Sequence, residues 1–204
     1  AYDPHSSRLI AGLEDGSLVF WTGAQAGQIP AHSDRVVAVT VSPDGLWLAS
    51  AASNGELIVT DLRTFKPIYR QFAWGSGVLN RVALAFSPDG RVLASGWVDG
   101  TVILYDRASG ARLSTQRAHA GASEAVGWLP DGSAYYSGGS DGSVFIWETQ
   151  THRLRRRLNG NPVRSLALAG DGWQLLAGNA DGTAMLWDIR TGRSLLALRR
   201  DPDK

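Results

Sequence analysis

The sequence predicts an all-β fold, a β-propeller of four-stranded antiparallel blades. Three observations predict it. One unit recurs five times along the 204 residues. Within four of the copies two glycine turns keep a fixed spacing, the first copy having only the second of them, and between the turns lie apolar segments of strand length.

The copies are DPHSSRLIAGLEDGSLVFWT, SPDGLWLASAASNGELIVTD, SPDGRVLASGWVDGTVILYD, LPDGSAYYSGGSDGSVFIWE and AGDGWQLLAGNADGTAMLWD. Their second-turn glycines, Gly16, Gly55, Gly100, Gly142 and Gly182, are 39, 45, 42 and 40 residues apart. From Gly45, Gly90, Gly132 or Gly172 to the next turn glycine is always 10 residues. From that glycine to Trp21, Thr60, Tyr105, Trp147 or Trp187 is always 5. All length variation falls in the joins. The units run approximately 1–30, 31–72, 73–117, 118–158 and 159–200.

Each unit reads as four strands. VVAVTV, VALAF, AVGW and VRSLAL run apolar, as a first, innermost strand should. A Pro-Asp-Gly turn follows, its glycine supplying a positive φ that a Cβ resists. The second strand is LWLASA, VLASG, AYYSG or QLLAG. Asp-Gly or Asn-Gly then makes a tight hairpin. LIVT, VILY, VFIW and AMLW form the third strand, and a polar loop such as DIRTGR leads to a fourth such as SLLAL. One such sheet leaves both faces uncovered, and radial packing of successive sheets covers them.

This pattern resembles the WD-repeat family over nearly the whole chain, in the form common in bacterial members. A related class of propellers with repeated Pro-Asp-Gly but no Trp-Asp is the alternative subtype. The resemblance implies a hydrogen-bonded set of His, Ser or Thr, Asp and Trp in each blade. By position only the fourth unit is complete, with His119, Ser137, Asp141 and Trp147. The second has His32 and Ser50 but Asn54 and Thr60; the third has Gly77, Ser95, Asp99 and Tyr105; the fifth has Asn159, Ala177, Asp181 and Trp187. The fourth blade is therefore expected to be the best ordered.

The first unit starts at the end of its innermost strand, because Tyr2 aligns with Phe86. No later segment completes that sheet. Five blades, the first incomplete, are expected to be part of a seven-blade ring, with a closed five-blade ring as the alternative.

Composition narrows the function. The net charge of +1 is too balanced for a nucleic-acid footprint, and no apolar run reaches the length of a membrane span. The absence of cysteine excludes disulfides and thiolate metal sites, and fits a cytoplasmic location without excluding a periplasmic one. None of the four His residues has a partner at metal-ligand spacing, and Asp15, Asp99, Asp141 and Asp181 lie one per blade, so they cannot converge on one ion. His5 and His152 read as solvent-exposed. There is no nucleophile motif, phosphate loop or carboxylate pair. No enzyme activity, metal or cofactor is expected.

The arginines Arg153, Arg155, Arg156 and Arg157 fall on an outermost strand, where basic residues guard against edge pairing; an acidic partner or nucleic acid is the competing reading. Trp74 and Trp97 interrupt the repeat. With Arg35, Asn80 and Val98 they form the candidate partner-binding set, on loops expected to open on one face; the alternative is that the two Trp pack together and cap the blade. The resemblance implies a rigid platform for protein partners or other domains of the same polypeptide, as a scaffold or sensor domain. The alternatives are a small-ligand or enzymatic propeller with a central-channel site, or a self-assembly module. The first strands offer almost no titratable groups, which counts against a channel site.

Overall fold

A computed structural model of the chain describes residues 1–3, 5–72 and 81–199. They form five four-stranded antiparallel sheets, each with its strands in chain order. The first sheet comprises β1 (Tyr2–Asp3), β2 (Arg8–Gly12), β3 (Ser17–Thr22) and β4 (Gln25–Pro30), and the second β5 (Val36–Val41), β6 (Trp47–Ala52), β7 (Glu56–Asp61) and β8 (Lys66–Phe72). The third has β9 (Ala83–Phe86), β10 (Val92–Gly96), β11 (Thr101–Asp106) and β12 (Arg112–Arg117). In the fourth are β13 (Ser123–Trp128), β14 (Ala134–Gly139), β15 (Ser143–Glu148) and β16 (Leu154–Asn159), and in the fifth β17 (Val163–Leu168), β18 (Gln174–Asn179), β19 (Ala184–Asp188) and β20 (Arg193–Leu198).

The turn reading holds in detail. The second-turn glycines have φ between 81° and 84°, and those of the Pro-Asp-Gly-type turns between 68° and 74°. These are left-handed conformations that a side chain resists. The carboxylate of each turn Asp accepts backbone N–H groups just beyond it, as Asp141 does from Ser143.

The chain divides into two compact units, 1–95 with 103–115, and 96–102 with 116–204. In the first, Ile10, Leu18, Leu48 and Leu62 form a buried cluster between the first and second sheets. In the second, Leu129, Tyr136, Ile146 and Leu158 pack with Leu175, Ala177 and Trp187, joining the fourth and fifth sheets.

Side chains of the fourth strands fasten the repeat in two ways. One reaches the residue after the turn glycine of its own sheet: Gln28 to Ser17 at 2.7 Å, Arg70 to Glu56 at 2.7 Å and Arg157 to Ser143 at 3.0 Å. The other reaches a carbonyl in the loop of the following unit: Gln71 to Gly110, Gln116 to His152, and Arg156 to both Thr191 and Arg190. Arg156 and Arg157 are therefore structural ties, a correction to the reading of all four arginines as an edge guard or binding patch. His152 is corrected too. It is half-buried, with φ of 55°, at the position Gly110 and Gly192 hold elsewhere.

The first and fifth sheets each present an apolar face. Leu9 and Trp21 are cross-strand partners in the first sheet and are 51% and 37% exposed. Their counterparts in the fifth sheet, Leu175 and Trp187, are 0% and 3% exposed, because the fourth sheet covers them. Same residues, same register, opposite burial. On the other side of the fifth sheet, Leu176, Leu196 and Leu198 are 40–53% exposed.

Candidate functional site

The fourth sheet holds the complete network. The Trp147 indole N–H donates to Ser137 Oγ at 3.2 Å, and Ser137 meets His119 Nε2 at 2.9 Å. His119 Nδ1 meets Asp141 Oδ1 at 3.1 Å. One proton pattern satisfies every member. The indole can only donate, so the Ser137 hydroxyl passes its hydrogen to Nε2, and the Nδ1–H goes to the carboxylate. Asp141 also accepts from the backbone of Ala120 and Ser143, both at 3.0 Å. Burial lowers the His119 pKa and holds the ring neutral. Burial would raise the Asp141 pKa, but the N–H groups of Ser143 and Ala120 and the His119 ring outweigh it, and the carboxyl lies below its usual value. Phe145 and Tyr135 pack against this array, their ring centroids 5.5 and 6.2 Å from that of Trp147.

The second sheet contains a network that the motif does not announce. His32 Nε2 meets Ser50 at 2.8 Å as expected, but Nδ1 meets Glu56 at 2.7 Å. Asn54, at the Asp position, instead bonds Ser33 and the Glu56 N–H. A longer acid two residues on replaces the aspartate and binds Arg70 with its other oxygen. Thr60 stands where Trp would be and is buried. In the fifth sheet the pairing shifts as well. Gly160, not Asn159, makes the backbone bond that His119 makes, and Asn161 reaches Asp181 at 2.8 Å.

Of the candidate partner-binding residues, Trp74 and Asn80 lie outside the described residues, as does Gly77. Trp97 corrects the reading of an exposed aromatic, for it is 3% exposed. Its carbonyl accepts the N–H of Gly100 and of Ser123. The fourth sheet has Gly139 at this position, with the His119 ring beside it. In the third unit the sequence reverses the sizes, placing Gly77 at the His position and the indole here. Val98, next along, is 41% exposed, and Arg35 is half-buried. Among the described residues no three His, Asp or Glu side chains group as metal ligands.

Sequence reading missed Trp173. It follows a first-turn glycine, where the other units have Leu46, Arg91 and Ser133, and it is 39% exposed. An aromatic at a position that is otherwise variable was the available signal.

Comparison with known proteins identifies the class. The WD domain, G-beta repeat model matches residues 23–61 and 152–188, and the model of the anaphase-promoting complex subunit 4 WD40 domain matches 74–131. The chain belongs to the WD-repeat β-propeller family. Protein tipD of Dictyostelium discoideum is 28% identical over 153 residues, 70% of this chain and 25% of that protein. Mouse WD repeat-containing protein 72 is 27% identical over 204 aligned residues, 85% of this chain and 18% of that protein. A chain in the crystal structure of the mitotic checkpoint complex shares the fold with a TM-score of 0.83 at 20% identity, covering 95% of this chain and 60% of that one. This chain spans a quarter or less of the curated relatives it matches.

Proposed function

We propose that the chain is a non-catalytic platform for protein–protein contact, acting as a scaffold or regulatory domain within a longer polypeptide. The observation that carries this is the pair of apolar sheet faces. Leu9 and Trp21 expose positions that the fifth sheet buries against a neighbour, and a face of that composition stabilises a protein contact when covered. In this reading further sheets of the same kind, as in a seven-blade ring, or other domains of the polypeptide cover both faces. The isolated 204-residue chain is then expected to self-associate in sedimentation experiments. Replacing Leu9 by Asp together with Trp21 by Ser should shift it toward monomer, with the melting temperature changed by no more than about 2 °C. A monodisperse monomer before any substitution would overturn the reading.

Within this platform Val98 and Arg35 remain candidate contact residues. Val98 leaves apolar surface open at a hairpin tip. Val98→Asp is expected to remove specific proteins from those captured by the full-length polypeptide, at unchanged melting temperature, and Arg35→Glu likewise. Capture unchanged in both variants would take these loops out of the interface.

A further inference from the structure

The second compact unit carries a groove at the first turns of its two sheets. Pro130 forms one wall and the Trp173 indole the other, above buried Leu129, enclosing about 160 Å³. That is too small for a cofactor-sized ligand and suits one side chain. The Arg190 guanidinium lies 5.1 Å from the Trp173 ring and holds Asp188 at 3.1 Å, so its charge is compensated. A Cβ at Gly172 would crowd the Pro130 ring, at 3.2 Å, so glycine keeps this side of the groove clear.

Carboxylates stand at the mouth. Asp131 Oδ1 takes both the N–H and the hydroxyl of Ser133, while its Oδ2 has no protein partner among the described residues. Asp171 Oδ1 takes the N–H groups of Trp173 and Gln174, while its Oδ2 accepts no hydrogen bond among the described residues and the carboxylate feels the charge of Arg190. Beyond Asp131 the groove opens into a polar depression of about 570 Å³, lined also by Glu148 and Arg155. Arg190 pairs with Asp188 and also acts on Asp171, and Arg155 acts on Asp131, so four carboxylates, Asp131, Glu148, Asp171 and Asp188, stand against two guanidiniums and the charge around the groove is net negative.

We propose that this groove docks a partner peptide in which an aliphatic side chain is followed by a basic residue. The aliphatic group fills the space between Pro130 and Trp173. The basic head lies in the depression between Asp131 and Glu148, where the surrounding charge is negative and only partly screened. Arg155 opposes this charge. The proposal rests on the reading of the chain as a protein-contact platform, but uses a surface separate from Val98.

The test is fluorescence anisotropy with labelled glycine–serine peptides that carry one Leu-Arg pair, a Leu-Glu pair or a Ser-Arg pair. The Leu-Arg peptide is expected to bind most tightly, and more weakly as salt rises. Trp173→Ser, which installs the residue the fourth sheet has at this position, should weaken it roughly tenfold. Asp131→Asn should also weaken it, whereas Arg155→Ala should tighten it. Should Trp173→Ser fail to fold, the Asp131 and Arg155 variants carry the same test through their opposite signs. Val98→Asp should leave the peptide affinity unchanged, which separates failure of this site from failure of the other surface. The proposal is overturned if the Leu-Glu peptide binds as well as Leu-Arg, if Arg155→Ala weakens binding, or if no peptide binds up to about 1 mM.

Discussion

Trp147→Ala is expected to destabilise the protein by about 3–5 kcal/mol, more than truncation of any other member of its hydrogen-bonded network. The indole is 8% exposed, packs on Phe145 and Tyr135, and supplies a donor to Ser137. Its loss opens a cavity between stiff strands and breaks the chain of hydrogen bonds that sets the His119 tautomer. Asp141→Ala acts differently. It leaves little empty volume but strands the buried His119 N–H and removes the acceptor of two backbone N–H groups, costing on the order of 2–4 kcal/mol. Thr60→Ala, at the Trp position of the second sheet, removes two heavy atoms and should cost about 1 kcal/mol. Urea unfolding of the three variants is the measurement. Equal midpoints would show that the fourth-sheet network contributes nothing of its own.

Glu56→Ala should cost about 2–4 kcal/mol, although no repeat motif marks the residue. Its carboxylate is buried and bonds His32, whose side chain is 0% exposed, so removal leaves a ring N–H with neither water nor partner. The other partner, Arg70, is 47% exposed and recovers hydration, so Arg70→Gln should cost under about 1 kcal/mol. Asn54→Ala, at the position the motif would favour, should also fall below about 1 kcal/mol, since Asn54 is exposed. If Asn54→Ala proves the worse of the two, the assignment of Glu56 to the network fails. The pH dependence follows from the same burial. His32 and His119 have pKa values lowered below 6.5 by desolvation, so the unfolded chain binds protons there more readily than the folded one. The contribution of these two histidines to stability is therefore expected to fall as pH drops through 6.5, and to stay constant above it. The urea midpoint at pH 7 and pH 5 measures this.

The sequence by itself determined the sheets. Turn glycines at constant spacing leave no freedom in strand length, because each forces a reversal at one place. Hence VVAVTV is β5 and VRSLAL is β17 residue for residue, and the remaining segments differ from the observed strands by at most two residues at an end. Local rules reach this far since register within a hairpin is a short-range property. The network of the fourth sheet was legible for the same reason, each member standing at a fixed distance from a turn.

Only the tertiary structure decided what each side chain faces. Glu56 is two residues from the motif position, yet its longer side chain carries the carboxylate to the same histidine, and spacing alone measures backbone rather than reach. Trp97 read as an exposed interruption because position in the repeat does not say whether a side chain there turns inward, and it is 3% exposed. Arg156 and Arg157 read as an edge guard until their targets, a loop carbonyl some 35 residues on and a serine one strand away, came into view. Trp21 and Trp187 are the clearest case. They hold one position in one motif, and whether the indole is buried depends on a second sheet that no local pattern around either residue encodes.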